Sequence, residues 1–383
     1  MYTNYLFRLL ALMLILSACN NGAEHLSDAE TGGIGPTDPD ATAETVALFH
    51  NLKELSGDHI LFAHQHATEY GHRWRGDDNK SDVKLVTGSH PAVIGVDFMW
   101  LSNRPREDIE EEKERLRKYI VEAYDRGAVI TAGWHFHNPV SGDRFYYEEE
   151  ESVAAVEHII PGGKAHEDYK RILEDIADVA HSVVGSNGTL APIIFRPYHE
   201  FDGDWFWWGK SWTDRDDFIT LWQFTVTYLR DELGVNNFLY AFSPDNRYDT
   251  LEEYLERYPG DSYVDLVGMD NYADMGRDRY DLEAAIHKLK IVSDYAKDRG
   301  KIAAFTETGL ETLLDTTWWT DTLLEVVKAD GLELAYVLVW RNATNSDHYY
   351  APFPGQVSVP NFMEFYEDPF TLFEEDLENI YSF

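Results

Sequence analysis

One cysteine, Cys19, stands in 383 residues. That excludes an intrachain disulfide framework and any thiolate-held zinc or iron–sulfur cluster. Basic residues are scarce too. Lys and Arg number 32 against 69 Asp and Glu, a formal charge of −37. Such a surface repels phosphate backbones, so nucleic acid is not an expected partner. Anionic membrane surfaces and anionic polysaccharides are disfavoured for the same reason. No Gly-rich phosphate loop follows any strand-like run, which argues against a nucleotide-binding open sheet. The longest apolar stretch of the N-terminus, Leu9–Leu16, is too short to span a bilayer as a stable helix.

Aromatic residues, by contrast, are plentiful: 11 Trp, 23 Tyr and 20 Phe. A large core accounts for many of them. A sugar-binding cleft is the sharper reading, because the C–H faces of pyranose rings stack on aromatic rings.

The Leu9–Leu16 run follows Arg8 and reads as a signal-peptide core. It ends in Leu16-Ser17-Ala18-Cys19, which resembles the lipobox of bacterial lipoproteins. The resemblance implies a signal over residues 1–18 and lipidation of Cys19. Residues 19–40 are rich in Gly, Pro, Ser, Thr and acids and read as a flexible tether. The expected location is the outer membrane of a Gram-negative bacterium, with the body facing the periplasm or the cell surface.

From residue 41 to 383 we read one domain. Eight short β-rich runs recur: His59–Ala67, Pro91–Trp100, Ala128–Phe136, Ala191–Glu200, Asn237–Pro244, Val264–Tyr272, Lys301–Gly309 and Leu334–Asn342. Helical periodicity fills intervals between them, at Glu107–Arg126, Glu167–Val184, Thr213–Leu233, Leu282–Arg299 and Thr316–Ala329. This α/β alternation predicts a (β/α)8 TIM barrel.

Active sites of such barrels sit at the C-terminal ends of the strands. Those ends carry His64-Gln65-His66, Asp97, His135-Phe136-His137, His199-Glu200, Asp245, Asp270-Asn271-Tyr272, Glu307 and Trp340-Arg341. Glu200 and Glu307 end the fourth and seventh runs. Two carboxyls flanking one bond are what glycoside hydrolysis needs: one protonates the leaving oxygen, the other attacks the anomeric carbon or activates water. A lone Glu among 69 acids is ordinarily a solvated charge. These two each follow an apolar strand directly.

The stretch from Phe195 to Gly209, FRPYHEFDGDWFWWG, resembles the acid/base motif of glycoside hydrolase family 26, a family dominated by endo-β-1,4-mannanases. Phe305-Thr306-Glu307-Thr308-Gly309 is similar to its nucleophile motif. The resemblance implies a retaining endo-β-1,4-mannanase that hydrolyses mannan, galactomannan or glucomannan, with mannobiose as one product. Glu200 would be the acid/base and Glu307 the nucleophile. His199 would contact the reacting sugar, Trp205 would line the aglycone side, and Tyr272 would hydrogen-bond the nucleophile. Trp340 would form the floor, and Arg341 and His135 would bind the next sugar. No cofactor or metal is implied, and the partners expected are β-mannan and, through the anchor, a membrane; the chain itself is expected to be a monomer.

Other readings remain at this stage. His64-x-His66 resembles the start of metal-dependent amidohydrolases, but the later strands lack that family's remaining ligands. A lipid-anchored glycan-binding protein would fit the signal, the tether and the aromatics, yet has no use for two placed glutamates. Within the family, β-glucan or β-xylan could replace mannan. The long segment Asn138–Glu167, with Arg144, Tyr146, Tyr147 and the acids Glu148–Glu151, either shapes the cleft or is a solvated insertion. Trp74 and His66, with His64, are expected near distal sugar subsites; His137 is expected at the rim or core, and Trp318 and Trp319 in packing.

Overall fold

A computed structural model describes residues 35–142, 144–148 and 153–383. The signal reading and Cys19 lie outside the described residues, as do Glu149–Glu151 of the acidic run. Among the described residues no helix is long and apolar enough to cross a membrane.

Eight parallel strands close into a barrel: β1 (Ile60–Gln65), β2 (Val93–Asp97), β3 (Val129–Trp134), β4 (Ile193–Pro197), β5 (Phe238–Phe242), β6 (Leu266–Asp270), β7 (Ile302–Thr308) and β8 (Tyr336–Val339). Each pairs with its sequence neighbour, and β8 returns to β1 with Leu61 opposite Tyr336. All eight lie inside the expected runs. Every strand residue is buried, because helices cover the outer face and packed side chains fill the inner one. That is why these strands read as apolar runs rather than as alternation.

The helices follow their stripes where the interval is long. Arg106–Arg126 buries Ile109, Leu116 and Ile120 and stops at Gly127, whose φ of 93° only glycine adopts readily. Leu282–Arg299 is capped by the Asp281 side chain and ends at Gly300. Among the described residues, however, not every interval carries a full helix. After β1 the layer is a six-residue helix, Asp82–Thr87, and after β5 a single turn, Leu251–Tyr254. The expected helix at Thr316–Ala329 is a wide π turn, Trp319–Leu324, running into Glu325–Val327. Trp318 and Trp319 are fully buried there, their indole N–H groups donating to Met275 O and Ser358 Oγ.

Two pieces were not foreseen. A helix at Ala43–Leu55, capped by Thr42, precedes β1. After β8, the helix Val359–Tyr366 and the strand Thr371–Leu372, which pairs with β1, close the layer. The last part of the expected tether lies on the body: Thr37 N–H and Oγ1 donate to the Asp265 carboxylate at 2.5 and 3.1 Å, beside the N-terminal end of β6.

Candidate active site

β4 carries the first unusual feature. Arg196 is a guanidinium inside an apolar strand and is almost wholly buried. A buried cation must be paired. Its Nη1 donates to Asp270 Oδ2 at 2.6 Å and its Nη2 to Glu307 Oε2 at 2.5 Å, so one fork bridges β4, β6 and β7. Burial works against its charge, but Asp270 and Glu307 together outweigh burial and hold its pKa above the ordinary value. Tyr272 donates to the other Glu307 oxygen at 2.8 Å. Burial, then the Glu307 charge, push that phenol far up, so it stays a donor. Glu307 thus accepts from a cation on one oxygen and from a neutral hydroxyl on the other.

The chain then turns sharply. Tyr198 and Glu200 have φ of 50° and 52°, a left-handed conformation that costs non-glycine residues about 1–3 kcal/mol each. The surroundings fix this turn. Tyr198 points away from the mouth and bonds Tyr169 and Thr225 of the helix layer. Trp208 Nε1 donates to His199 O at 2.8 Å, and Glu200 N–H to Ser243 O at 2.9 Å. The result delivers the Glu200 carboxyl to the barrel mouth. Burial first, then the charges of Glu307, Asp270 and Asp245, push its pKa well above the usual carboxylate range. Trp205 Nε1 donates to Glu200 Oε2 at 2.7 Å and works in the opposite direction. Two carboxyls in one pocket therefore stand in different surroundings, the arrangement that separates an acid from a nucleophile.

His199 is buried, and burial, then Arg196 and His135, hold its pKa well below the imidazole range. It is a neutral ring beside Glu307. His199, Asp270 and Glu307 bring candidate ligand atoms within 4.8 Å of one another. Both Glu307 oxygens and both Asp270 oxygens are already taken, by Arg196, Tyr272 and Thr306.

Beyond these carboxyls lies a cavity of about 900 Å³. Trp340, Arg341 and His135 line it. His135 Nδ1 donates to Asp97 Oδ2 at 2.5 Å, which turns Nε2 away from Asp97. Asp97 also accepts the backbone N–H of His135 and of Met99. Burial pushes the Asp97 carboxyl up, but the His135 charge and hydrogen bonds overcome it and leave the pKa lowered. The cavity continues past Asp97 and Trp100 to Arg104 and Arg115.

Not every expectation lands in this cleft. His66 lines the cavity, bonded to Glu69 at 2.7 Å and stacked on Tyr70. His64 is buried and does not line it. Trp74 is also buried; its indole N–H donates to Asp82 Oδ1 at 2.7 Å, and it faces a separate depression with His72 and Lys80. His137 packs edge-on to Trp100 and stacks on Phe145. Trp207 and Trp208, from the aromatic-rich motif, are fully buried and tie backbone carbonyls rather than line the cleft. Arg196, Asp97 and Asp270 carry the site's electrostatics and had been given no role. The signal was there: a charge embedded in an apolar strand needs a partner, and the other strand ends supply the acids.

The model of the family described as glycosyl hydrolase family 26 matches residues 37–317. A mannan endo-1,4-β-mannosidase of Bifidobacterium adolescentis is 34% identical over 340 residues, 84% of this chain; the chain spans only 33% of that protein's length. Among solved structures, the GH26C protein of a Muricauda species is 42% identical with a TM-score of 0.86, covering 94% of this chain and 99% of that one. A β-mannanase of that family from Bacteroides ovatus is 40% identical with a TM-score of 0.81, covering 89% and 98%. On its matched length and on these similarities, the chain belongs to glycoside hydrolase family 26.

Proposed function

We propose that this protein is a retaining endo-β-1,4-mannanase acting on mannan, galactomannan or glucomannan. The observation that carries the reading is the unequal treatment of two carboxyls: burial and neighbouring carboxylates push the Glu200 pKa up, while Arg196 and Tyr272 each donate to one oxygen of Glu307. In the first step Glu200 gives its proton to the glycosidic oxygen. A Glu307 oxygen attacks the anomeric carbon, the glycosidic bond breaks, and a glycosyl–enzyme ester forms. In the second step the Glu200 carboxylate takes a proton from water. The water oxygen bonds to the anomeric carbon, and the ester bond returns its electrons to Glu307. The transition states carry positive charge on the ring, which an ionised Glu307 stabilises, and Trp340 keeps water from below. The mannanase names of similar proteins support mannan as the substrate.

Internal cleavage is favoured over release of mannobiose alone. The cavity runs on beyond Trp340, His135 and Arg341, and Phe145–Tyr147 of the long loop pairs with Trp205–Trp207. Release of disaccharide from chain ends remains the second reading, since galactose branches and product length depend on that same end. We further propose anchorage through lipidated Cys19 at an outer membrane, with the body acting as a monomer.

The test is a substrate panel of linear mannan, galactomannan, glucomannan, mixed-linkage glucan and xylan, with products resolved over time. An early ladder from mannans, with retained anomeric configuration by proton NMR, is expected. Activity confined to glucan or xylan would keep the mechanism and replace the substrate; inverted configuration would overturn the mechanism. Globomycin-sensitive processing and radiolabelled palmitate on the full chain, both lost in Cys19→Ser, would test the anchor.

A further inference from the structure

The long segment after β3 is not a loose insertion where it is described. Tyr147 N–H donates to Trp205 O at 2.7 Å and Trp207 N–H to Phe145 O at 3.3 Å, an antiparallel pairing onto the loop that carries Trp205. Tyr147 stacks on Trp212 with ring centroids 3.7 Å apart and planes 14° apart. Phe145 packs edge-on to His135. Between these two anchored residues sits Tyr146. One face of its ring lies on Phe206 at 5.6 Å and 15°, and Phe206 in turn packs on His199. Yet 51% of Tyr146 is exposed, and it lines the same cavity as Trp340 and Arg341.

That combination calls for an explanation. The neighbours on either side fix the backbone, so the ring is held in place while much of it faces water. Burial, then the Glu200 and Glu307 carboxyls, raise its phenol, so the side chain is neutral and near the reacting carboxyls. A flat apolar surface facing a sugar cleft suits the C–H face of a pyranose.

We propose that Tyr146 is a substrate-contacting residue, its ring covering the sugar of the reacting subsite across His135 from Trp340. The long segment is then a specificity element: it brings an aromatic wall to the glycone side while its pairing with Trp205 couples that wall to the loop that touches Glu200. This rests on the mannanase reading above, but only for the choice of sugar.

The experiment compares wild type, Tyr146→Ala, Tyr146→Leu and Tyr146→Phe on mannotetraose and on an aryl β-mannobioside, which has no aglycone sugar. Tyr146→Ala raises KM about tenfold on both substrates, with kcat within about threefold and the pH profile unmoved. Tyr146→Phe returns to within about twofold of wild type, and Tyr146→Leu, which keeps an apolar contact with Phe206 but no flat face, behaves as Ala. Thermal melting of each variant checks the fold. Wild-type values for Tyr146→Ala, a loss on mannotetraose alone, a Leu variant as good as Phe, or a Phe variant as poor as Ala would each overturn the proposal. If wild type acts on glucan rather than mannan, the mannanase reading fails at that first column, and the same variants on cellotetraose and an aryl cellobioside still test Tyr146.

Discussion

Glu200 and Glu307 are the same residue type at the ends of two barrel strands, and almost everything around them differs. Glu307 lies one residue before the end of β7, where the pairing to β6 and to β8 shifts register, and meets a guanidinium on one oxygen and a phenol on the other. Glu200 stands on a left-handed turn, with no cation among its described hydrogen-bond partners and a single indole N–H on one oxygen. Three carboxylates, Glu307, Asp270 and Asp245, face it and favour its protonated form. Side-chain chemistry is therefore not what divides the labour. The cation on β4 does, by lying against Glu307 and Asp270.

The largest effect should come from the side with the cation. Glu307→Gln replaces the nucleophilic carboxylate with a neutral amide, and turnover on every substrate falls by at least ~10⁴-fold. Glu200→Ala should be nearly as damaging on mannan, yet form the glycosyl–enzyme from a dinitrophenyl mannobioside, whose leaving group needs no proton. Burst kinetics on that substrate check it: an equally dead first step with intact folding reverses the roles. Azide should rescue Glu200→Ala as a small nucleophile and yield a β-glycosyl azide.

Arg196→Met comes next. It leaves two buried carboxylates without their cation, a change of the kind that costs about 3–5 kcal/mol. A lower melting temperature at pH 7, partly restored at pH 5 where the carboxyls take up protons, is the expected pattern. Glu200→Gln moves the other way. The folded pKa of Glu200 lies above its unfolded value, so the protein loses stability as pH rises from ~4.5 through the folded value. Replacing the titrating carboxyl removes that loss, and melting at pH 8 should exceed wild type while melting at pH 4 should not. Tyr272→Phe is milder: one charge-assisted hydrogen bond to Glu307 is worth about 1.5–3 kcal/mol, and kcat should fall roughly ten- to hundredfold with KM little changed.

The contrast between the two glutamates was only half legible in the sequence. Their positions were, because barrel strands are buried on both faces and announce themselves as apolar runs ending in polar residues. Their different surroundings were not. Arg196 touches Glu307 across 111 positions and Asp270 across 74, and no local pattern reports which strand ends meet in space. Trp207 and Trp208 belong to the aromatic excess that suggests a sugar cleft, while the fold uses Trp207 to hold the Phe136 carbonyl after β3 and Trp208 to hold the His199 carbonyl before Glu200. Asn246, Asn271 and Asp274 likewise bond one another behind the mouth, a polar network that reads as loop until the barrel closes. The short helices after β1 and β5 escaped for a plainer reason, since one or two turns carry too few residues for a 3.6-residue period to register.

The smallest effect falls on the side without the cation, and its sign is the informative part. Trp205 reaches Glu200 because Gly203 has no side chain: a Cβ there would lie 2.4 Å from the indole ring. Trp205→Phe keeps a ring in that slot and loses only the N–H that Glu200 Oε2 accepts. That bond favours the ionised carboxyl, so without it the Glu200 pKa climbs further. The first step needs Glu200 protonated, and the basic limb of kcat/KM should move to higher pH. The second step needs it ionised, so kcat on a substrate limited by hydrolysis of the ester should fall a few-fold near neutrality. A pH series on the dinitrophenyl and natural substrates reads both. An upward move of both limbs, with opposite effects on the two rates, identifies Trp205 as the group that keeps one carboxyl able to act first as acid and then as base; an unmoved limb in both reduces it to a wall of the aglycone side.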